Sequence, residues 1–218
     1  MSALKHLQVR LTQNKERGFR MKRIIFATSN EGKMKEIRMI LADMDVEIVS
    51  LKEAGIQADI IEDGTTFEEN AIIKATEIHK LTGEWVLADD SGLEVDYLDK
   101  APGIYSARFM GEDTSYHIKN NEIIKRLENA KDEERSARFV CVIAAVIDNG
   151  EVMTTRATIE GRIGYKEEGD NGFGYDPIMY LPEYGTTTAG LSPEQKNEIS
   201  HRGKALRLMK EKLEKYLV

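Results

Sequence analysis

The run Arg138-Phe139-Val140-Cys141-Val142-Ile143-Ala144-Ala145-Val146-Ile147, closed by Asp148-Asn149-Gly150 and followed by Glu151 to Ile163, decides the fold. Its first part is apolar without alternation, as expected of a strand buried on both faces. Asp-Asn-Gly signals a hairpin, because Asn and Gly accept the backbone conformations of a tight turn. Glu151 to Ile163 alternates and reads as the returning strand. The two make a long antiparallel pair. Upstream, strand-like and helical segments alternate, which calls for parallel strands joined by helices. A mixed sheet flanked by helices is therefore expected. Phe139 to Ile147 is too short to cross a bilayer. Cys141, the single cysteine, lies inside this run and reads as a buried structural thiol.

Working outward, Ile24-Ile25-Phe26-Ala27 is a buried-type strand. Thr28-Ser29-Asn30-Glu31-Gly32-Lys33 is a polar turn, and a helix follows with Met34, Ile37, Ile40 and Leu41 on one face. Strand, polar loop and helix start suit a phosphate, since free N–H groups and the helix dipole face the loop. Lys33 is placed to reach a phosphate, and Glu36, three residues on, to pair with Lys33. The spacing is not that of a Walker loop; taken alone it fits a solvated helix start equally well. Val46 to Val49 reads as a second strand. Residues 52–65 form an acidic loop containing Glu62. Thr66-Phe67-Glu68-Glu69 is a capping box opening a helix to about Leu81, with Phe67, Ala71, Ala75 and Ile78 inward and Gly83 as its stop.

Ala88-Asp89-Asp90-Ser91-Gly92-Leu93-Glu94-Val95 follows the apolar Trp85 to Ala88. It reads as a strand carrying two acids to its tip, then a turn at Ser-Gly, then another strand. Adjacent carboxylates are costly unless neutralised, and a divalent metal is the usual neutraliser. Arg108 either faces a phosphate or pairs with an acid. Thr114 to Ala130 reads as a helix with Ile118, Ile123, Ile124 and Leu127 inward; His79 and His117 read as structural or exposed. In Gly169 to Pro177, Phe173 sits between Gly172 and Gly174, placed to stack on a flat ring. Lys196 precedes Ser200-His201-Arg202-Gly203-Lys204, which opens a helix with Ala205, Leu206, Met209 and Leu213 inward. Cations at a helix start oppose the dipole, so an anion or other acceptor is expected between them.

With 218 residues, 41% of them apolar, the chain can bury a core as one large domain or two packed lobes. Net charge is −7; residues 1–20 hold five basic residues and one acid, net +4, which leaves −11 on the rest. An acidic body excludes a general nucleic-acid binder. Neither a membrane span nor an apolar leader with a cleavage site is seen, which points to the cytoplasm. Residues 1–20 read as an N-terminal extension, disordered or a non-native start, before a single two-lobed unit over residues 21–218.

Six stretches, in order, resemble one family, the inosine triphosphate pyrophosphatases or HAM1-like non-canonical purine nucleoside triphosphate pyrophosphatases. They are Thr28 to Lys33 with Glu36; Glu62 to Ala71; Ala88 to Val95; Pro102 to Arg108; Gly172 to Pro177; and Lys196 with Ile199 to Arg202. The resemblance covers residues 22–215. It departs at Gly190, where an acid is expected, and in the N-terminal extension. It implies a two-lobed α/β fold with a long central mixed sheet, a cleft between the lobes, a homodimer, and Mg²⁺-dependent conversion of ITP, dITP or XTP to the monophosphate and pyrophosphate. By position it makes Asp90 the catalytic acid-base residue and metal neighbour and Glu62 a second metal carboxylate. Asp89 is a further metal candidate, although strand parity points it away from Asp90. Thr28, Ser29, Asn30, Glu31, Gly32, Lys33, Ser91, Phe173, Gly174, Tyr175, Asp176, Lys196, His201 and Arg202 line the substrate, with Lys33 and Lys196 on phosphate oxygens and His201 or Arg202 donating to the base oxygen at C6. The alternatives are a non-catalytic nucleotide sensor, against which the acids count, and a pyrophosphatase for other modified or pyrimidine nucleotides.

Overall fold

The computed structural model describes residues 21–217. The expected extension over residues 1–20 lies outside them. One seven-stranded sheet runs in the order β2-β1-β3-β4-β5-β6-β7. Its strands are β1 Lys22–Phe26, β2 Val46–Ser50, β3 Trp85–Val95, β4 Ser136–Val146, β5 Val152–Ile163, β6 Met179–Leu181 and β7 Thr186–Thr187. β1 pairs in parallel with β2 and β3, and the later pairings are antiparallel. Helices α1 Glu31–Ile40 and α2 Phe67–Thr82 join the parallel strands, α3 Tyr116–Arg126 precedes β4, and α4 Pro193–Ile199 and α5 His201–Leu213 follow β7. The mixed sheet flanked by helices is as expected.

The β4–β5 hairpin holds one register from Val146↔Val152 to Ser136↔Arg162. β4 lacks alternation because both of its faces are covered. Cys141, Ile143 and Ala145 pack with Met34 and Ile37 of α1 and Leu206 and Met209 of α5. Val140, Val142 and Ala144 pack with Phe67, Ala71, Ala75 and Ile78 of α2. Each large apolar side chain buried there stabilises the fold by about 1.5–3 kcal/mol. A third cluster, at the far end of the sheet, joins Leu93, Val95, Ile123, Phe139, Tyr175 and Ile178.

Two expectations change. The Ser91-Gly92 pair is not a turn: β3 is one strand of eleven residues, paired with β4 from Val86↔Val146 to Val95↔Ala137. The glycine serves close packing instead, since a Cβ at Gly92 would overlap the Gly103 carbonyl oxygen and Ser106 Oγ. Helix α3 is shorter than expected and rotated. Ile118 is 52% exposed, and Lys119 and Asn120 take the buried face with Ile123. Lys119 Nζ donates to the Ala107 carbonyl, so the buried ammonium is satisfied. At Gly190, where an acid is expected, a Cβ would overlap Thr186 Oγ1, so a larger residue there requires the Thr186 side chain to move.

β3 outruns β1. Their pairing covers only Trp85 to Leu87, with one more bond from Ala27 N to Leu87 O. From Ala88 to Gly92 the β1-side edge of β3 therefore has no neighbouring strand. The chain also leaves β1 towards β2 on one side and returns as β3 on the other. Such a switch point opens a crevice beyond the strands' carboxyl ends.

α4 and α5 meet at Ser200, which ends one helix and caps the next by accepting from Gly203 N. A Cβ at Gly203 would overlap the Asn197 carbonyl oxygen. Gly203→Ala is expected to destabilise the protein by about 1–3 kcal/mol through overpacking, read as a lower urea midpoint with an unchanged slope.

Candidate active site

Alternation along β3 sorts its side chains. Trp85 and Leu87 pack on the face covered by α1 and α5, so Asp89 and Ser91 continue that face. Val86 and Ala88 pack towards α2, so Asp90 continues that one. Adjacent acids thus enter two different environments.

On the α2 face, Lys74 Nζ donates to Asp90 Oδ1 at 3.0 Å and to Glu62 Oε2 at 2.9 Å, and Asn70 Nδ2 reaches Asp90 Oδ2 at 3.4 Å. Burial pushes the Asp90 carboxyl pKa up; Lys74 pulls it back only in part, and Glu62 and Asp89 add to the rise. Burial also opposes the charge on Lys74, but Asp90, Asp89 and Glu62 outweigh it and hold that pKa up. Two acids share one cation here. Among the described residues no three acidic, histidine or cysteine side chains converge on a point. Glu62 and Asp90 supply oxygen donors with one uncompensated negative charge, which suits a hard cation that keeps waters and takes further ligands from a substrate.

On the α1/α5 face, Lys33 Nζ lies 2.8 Å from Asp89 Oδ2, and Arg202 Nη2 lies 3.3 Å from the same oxygen. Ser91 Oγ donates to it at 3.0 Å and accepts from Arg202 Nη2 at 3.1 Å. Arg202 Nη1 reaches Glu36 Oε2 at 2.5 Å, Glu36 Oε1 accepts from Lys196 at 2.9 Å, and Lys196 donates to Asp176 Oδ2 at 2.6 Å. Three cations and three carboxylates alternate in one chain. Burial alone would raise the Asp89 pKa, but Lys33, Arg202 and Lys74 hold it well below the usual carboxylate range. Arg202 and Lys196 likewise overcome burial to lower that of Glu36. The expected Lys33–Glu36 pair does not form; Glu36 serves Lys196 and Arg202 instead.

These residues wall a cavity of about 180 Å³. Asn30 and Lys33 line it from the α1 loop, Ser91 and Gly92 from β3, Phe173 to Asp176 from the glycine loop, and Lys196, His201 and Arg202 from α4 and α5. It opens between core clusters, since Phe139 and Tyr175 belong to the far one while α1 and α5 cover the first. Asp176 Oδ2 also accepts from Phe173 N at 2.8 Å, which fixes the loop. Lys196 Nζ and Arg202 Cζ lie 4.8 and 5.7 Å from the Phe173 ring centroid. His201 stacks on Phe139 at 4.9 Å. Burial, then Arg202 and Lys196, push the His201 pKa well below its ordinary value, so the ring is neutral. His201 Nδ1 and Arg202 Nε are buried without a partner among the described residues. Buried polar atoms rarely stay unpaired unless a ligand or water meets them.

Of the other expected site residues, Thr28 is buried, with its hydroxyl accepting from Asn30 N, and Asn30 caps α1. Gly32 lies beneath Phe173. Ser29 and Glu31 are exposed and lie outside the cavity wall, and Arg108 stacks over Tyr105 at 5.0 Å rather than joining the site. Asp89, proposed for the metal, faces away from Glu62 and Asp90 and is matched by Lys33 and Arg202. Sequence reasoning missed Lys74, Asn70, Tyr116 and Ser106. The signal for the first two was present: Asn70 and Lys74, four apart, interrupt the apolar stripe of α2 at positions that must face the sheet.

A sequence profile of the Ham1 family matches residues 24–212. A dITP/XTP pyrophosphatase of Clostridium perfringens is 50% identical over 199 residues, covering 88% of this chain and 98% of that protein. One from Caldanaerobacter subterraneus is 46% identical over 198 residues, covering 90% and 98%. The HAM1 protein structure from Coxiella burnetii superposes with a TM-score of 0.81 at 41% identity, covering 89% of this chain and all of that one. The fold is an α/β sheet with its cleft at an open strand edge, and the chain belongs to the Ham1 family.

The two acids of β3 should respond oppositely to amidation. Asp89 has a lowered folded pKa, so its ionised form stabilises the fold above the unfolded pKa of about 3.9, and that contribution is lost as the pH falls below it. Asp89→Asn should cost about 3 kcal/mol at pH 7, as for a buried pair losing one partner, with the gap to wild type closing under acid. Asp90 has a raised folded pKa, so its charge opposes folding at neutral pH. Asp90→Asn should raise the melting temperature in EDTA. Thermal unfolding of both variants between pH 3 and pH 7 checks the signs.

Proposed function

We propose that the chain hydrolyses ITP, dITP and XTP to the monophosphate and pyrophosphate, in the cytoplasm, as a Mg²⁺-dependent homodimer. One observation carries the reading. The open edge of β3 separates an acid pair held by one lysine from a ring-lined cavity in which His201 Nδ1 and Arg202 Nε lack partners. A nucleoside triphosphate needs both halves, one for phosphoryl chemistry and one for the base. The names of the relatives, dITP/XTP pyrophosphatases, support two of these substrates, dITP and XTP.

Phosphoryl hydrolysis depends mainly on positioning and charge neutralisation. Glu62 and Asp90 would hold Mg²⁺, which when bound lowers the charge on the phosphate oxygens. Lys74 fixes both carboxylates. Asp90 orients the attacking water and takes its proton. Lys33, the most accessible cation of the opposite face, meets phosphate oxygens. Phe173 stacks on the base. Arg202 and neutral His201 face its C6 position. Hypoxanthine and xanthine carry an acceptor oxygen there, whereas adenine carries a donor. Mismatch at a buried polar site can discriminate by about 10⁴ or more.

A panel of ITP, dITP, XTP, ATP and GTP with Mg²⁺ tests this, scored for pyrophosphate against orthophosphate. Pyrophosphate from the first three is expected; orthophosphate alone would sink the assignment. Asp90→Asn should lower kcat by about 10²-fold or more while nucleotide binding persists. Turnover at the wild-type rate would remove Asp90 from its role.

A further inference from the structure

One buried carboxylate contacts the two residues expected at opposite ends of the substrate, Lys33 and Arg202. The Asp89 side chain is 1% exposed and makes ion pairs with Lys33 from the α1 loop and Arg202 from α5. Lys33 reaches both of its oxygens, at 3.0 and 2.8 Å, and is 20% exposed. Arg202, 3% exposed, shares one oxygen at the longer 3.3 Å and shares Ser91 Oγ with it. Lys33 is thus the only member of this trio with room to turn towards a ligand. Arg202 is fixed on its other side by Glu36. Resting on the function proposed above, we propose that Asp89 is a positioning residue that couples phosphate binding to base binding.

The physical steps are short. A phosphate oxyanion competes with Asp89 for the Lys33 ammonium. As Lys33 turns to the phosphate, the full Asp89 charge falls on Arg202 and the Ser91 hydroxyl. The long Arg202–Asp89 contact tightens, and the guanidinium is held between Asp89 and Glu36 in one orientation. A base that takes a hydrogen bond from Arg202 then finds its donor already placed. The coupling is positive, and thermodynamic linkage makes it reciprocal. It also links selectivity to the triphosphate, because a base is read sharply only when a phosphate is present.

The two halves of the substrate can be tested apart, since inosine is neutral and pyrophosphate carries no base. Titration of the full chain with inosine, with and without saturating magnesium pyrophosphate, gives the coupling factor directly. In the wild type, pyrophosphate should tighten inosine binding about fivefold or more. In Asp89→Asn the factor should fall to about one, while pyrophosphate alone binds as well or better, because Lys33 is released. The ratio of ITP to ATP kcat/KM should fall with it. A merely structural role would weaken both ligands together, and that result overturns the proposal. So does an unchanged factor in the variant, or inosine that binds no better with pyrophosphate in the wild type. Ser91→Ala, which removes the hydroxyl between Asp89 and Arg202, should lower the factor too, and decides the matter if Asp89→Asn does not fold. Release of pyrophosphate from dITP by the wild type, measured alongside, separates failure of the coupling from failure of the proposed function.

Discussion

Successive side chains of an extended strand leave on opposite faces, and the site depends on that geometry in β3. Asp89 and Asp90 are neighbours in the chain but not in space. One faces α1 and α5, the other α2, because Trp85 and Leu87 have anchored one face and Val86 and Ala88 the other. The apolar half of the strand sets the register that the polar half uses. A slip of one residue would exchange the two acids and leave each among the wrong partners.

The two faces differ in charge balance. The α1/α5 face is neutral, with Lys33, Arg202 and Lys196 matched by Asp89, Glu36 and Asp176. Removing a buried member of such a set strands a charge, while the more accessible Lys33 keeps room to turn outward. The set places donors around the cavity without attracting anions strongly. The α2 face is short of one positive charge, since Lys74 serves both Glu62 and Asp90. There the protein keeps an electrostatic cost that a bound cation would relieve. Stability and readiness for chemistry are thereby assigned to opposite sides of one sheet.

Much of this was legible in the residues. The uniform run of β4, the Asp-Asn-Gly turn and the alternation of β5 carried the mixed sheet, because hydrophobic periodicity reports directly on which faces are covered. The parity of Asp89 and Asp90 was legible for the same reason. The unbroken course of β3 was not. Ser-Gly has turn composition, and only the approach of the Gly103 carbonyl shows why a glycine is needed in mid-strand. Partner choice was also hidden. Glu36 is three residues from Lys33, yet it pairs with Lys196 and Arg202, more than 150 residues away. Helical spacing states who can meet within a helix, not what the next helix brings. Lys119 was hidden in the same way, since the carbonyl it meets belongs to Ala107, outside its own helix.

Cys141 has a consequence of its own. It sits at the centre of β4, fully buried beneath α1 and α5, and burial with the nearby Asp89 pushes its thiol pKa up to about 12. The nucleophile in thiol oxidation and disulfide exchange is the thiolate, which needs both exposure and a low pKa. The only sulfhydryl of the chain has neither. The candidate site holds no cysteine; its polar groups include carboxylates, amines, a guanidinium and an imidazole. Peroxide, glutathione and thiol-directed reagents therefore have no handle on the cysteine of the folded protein.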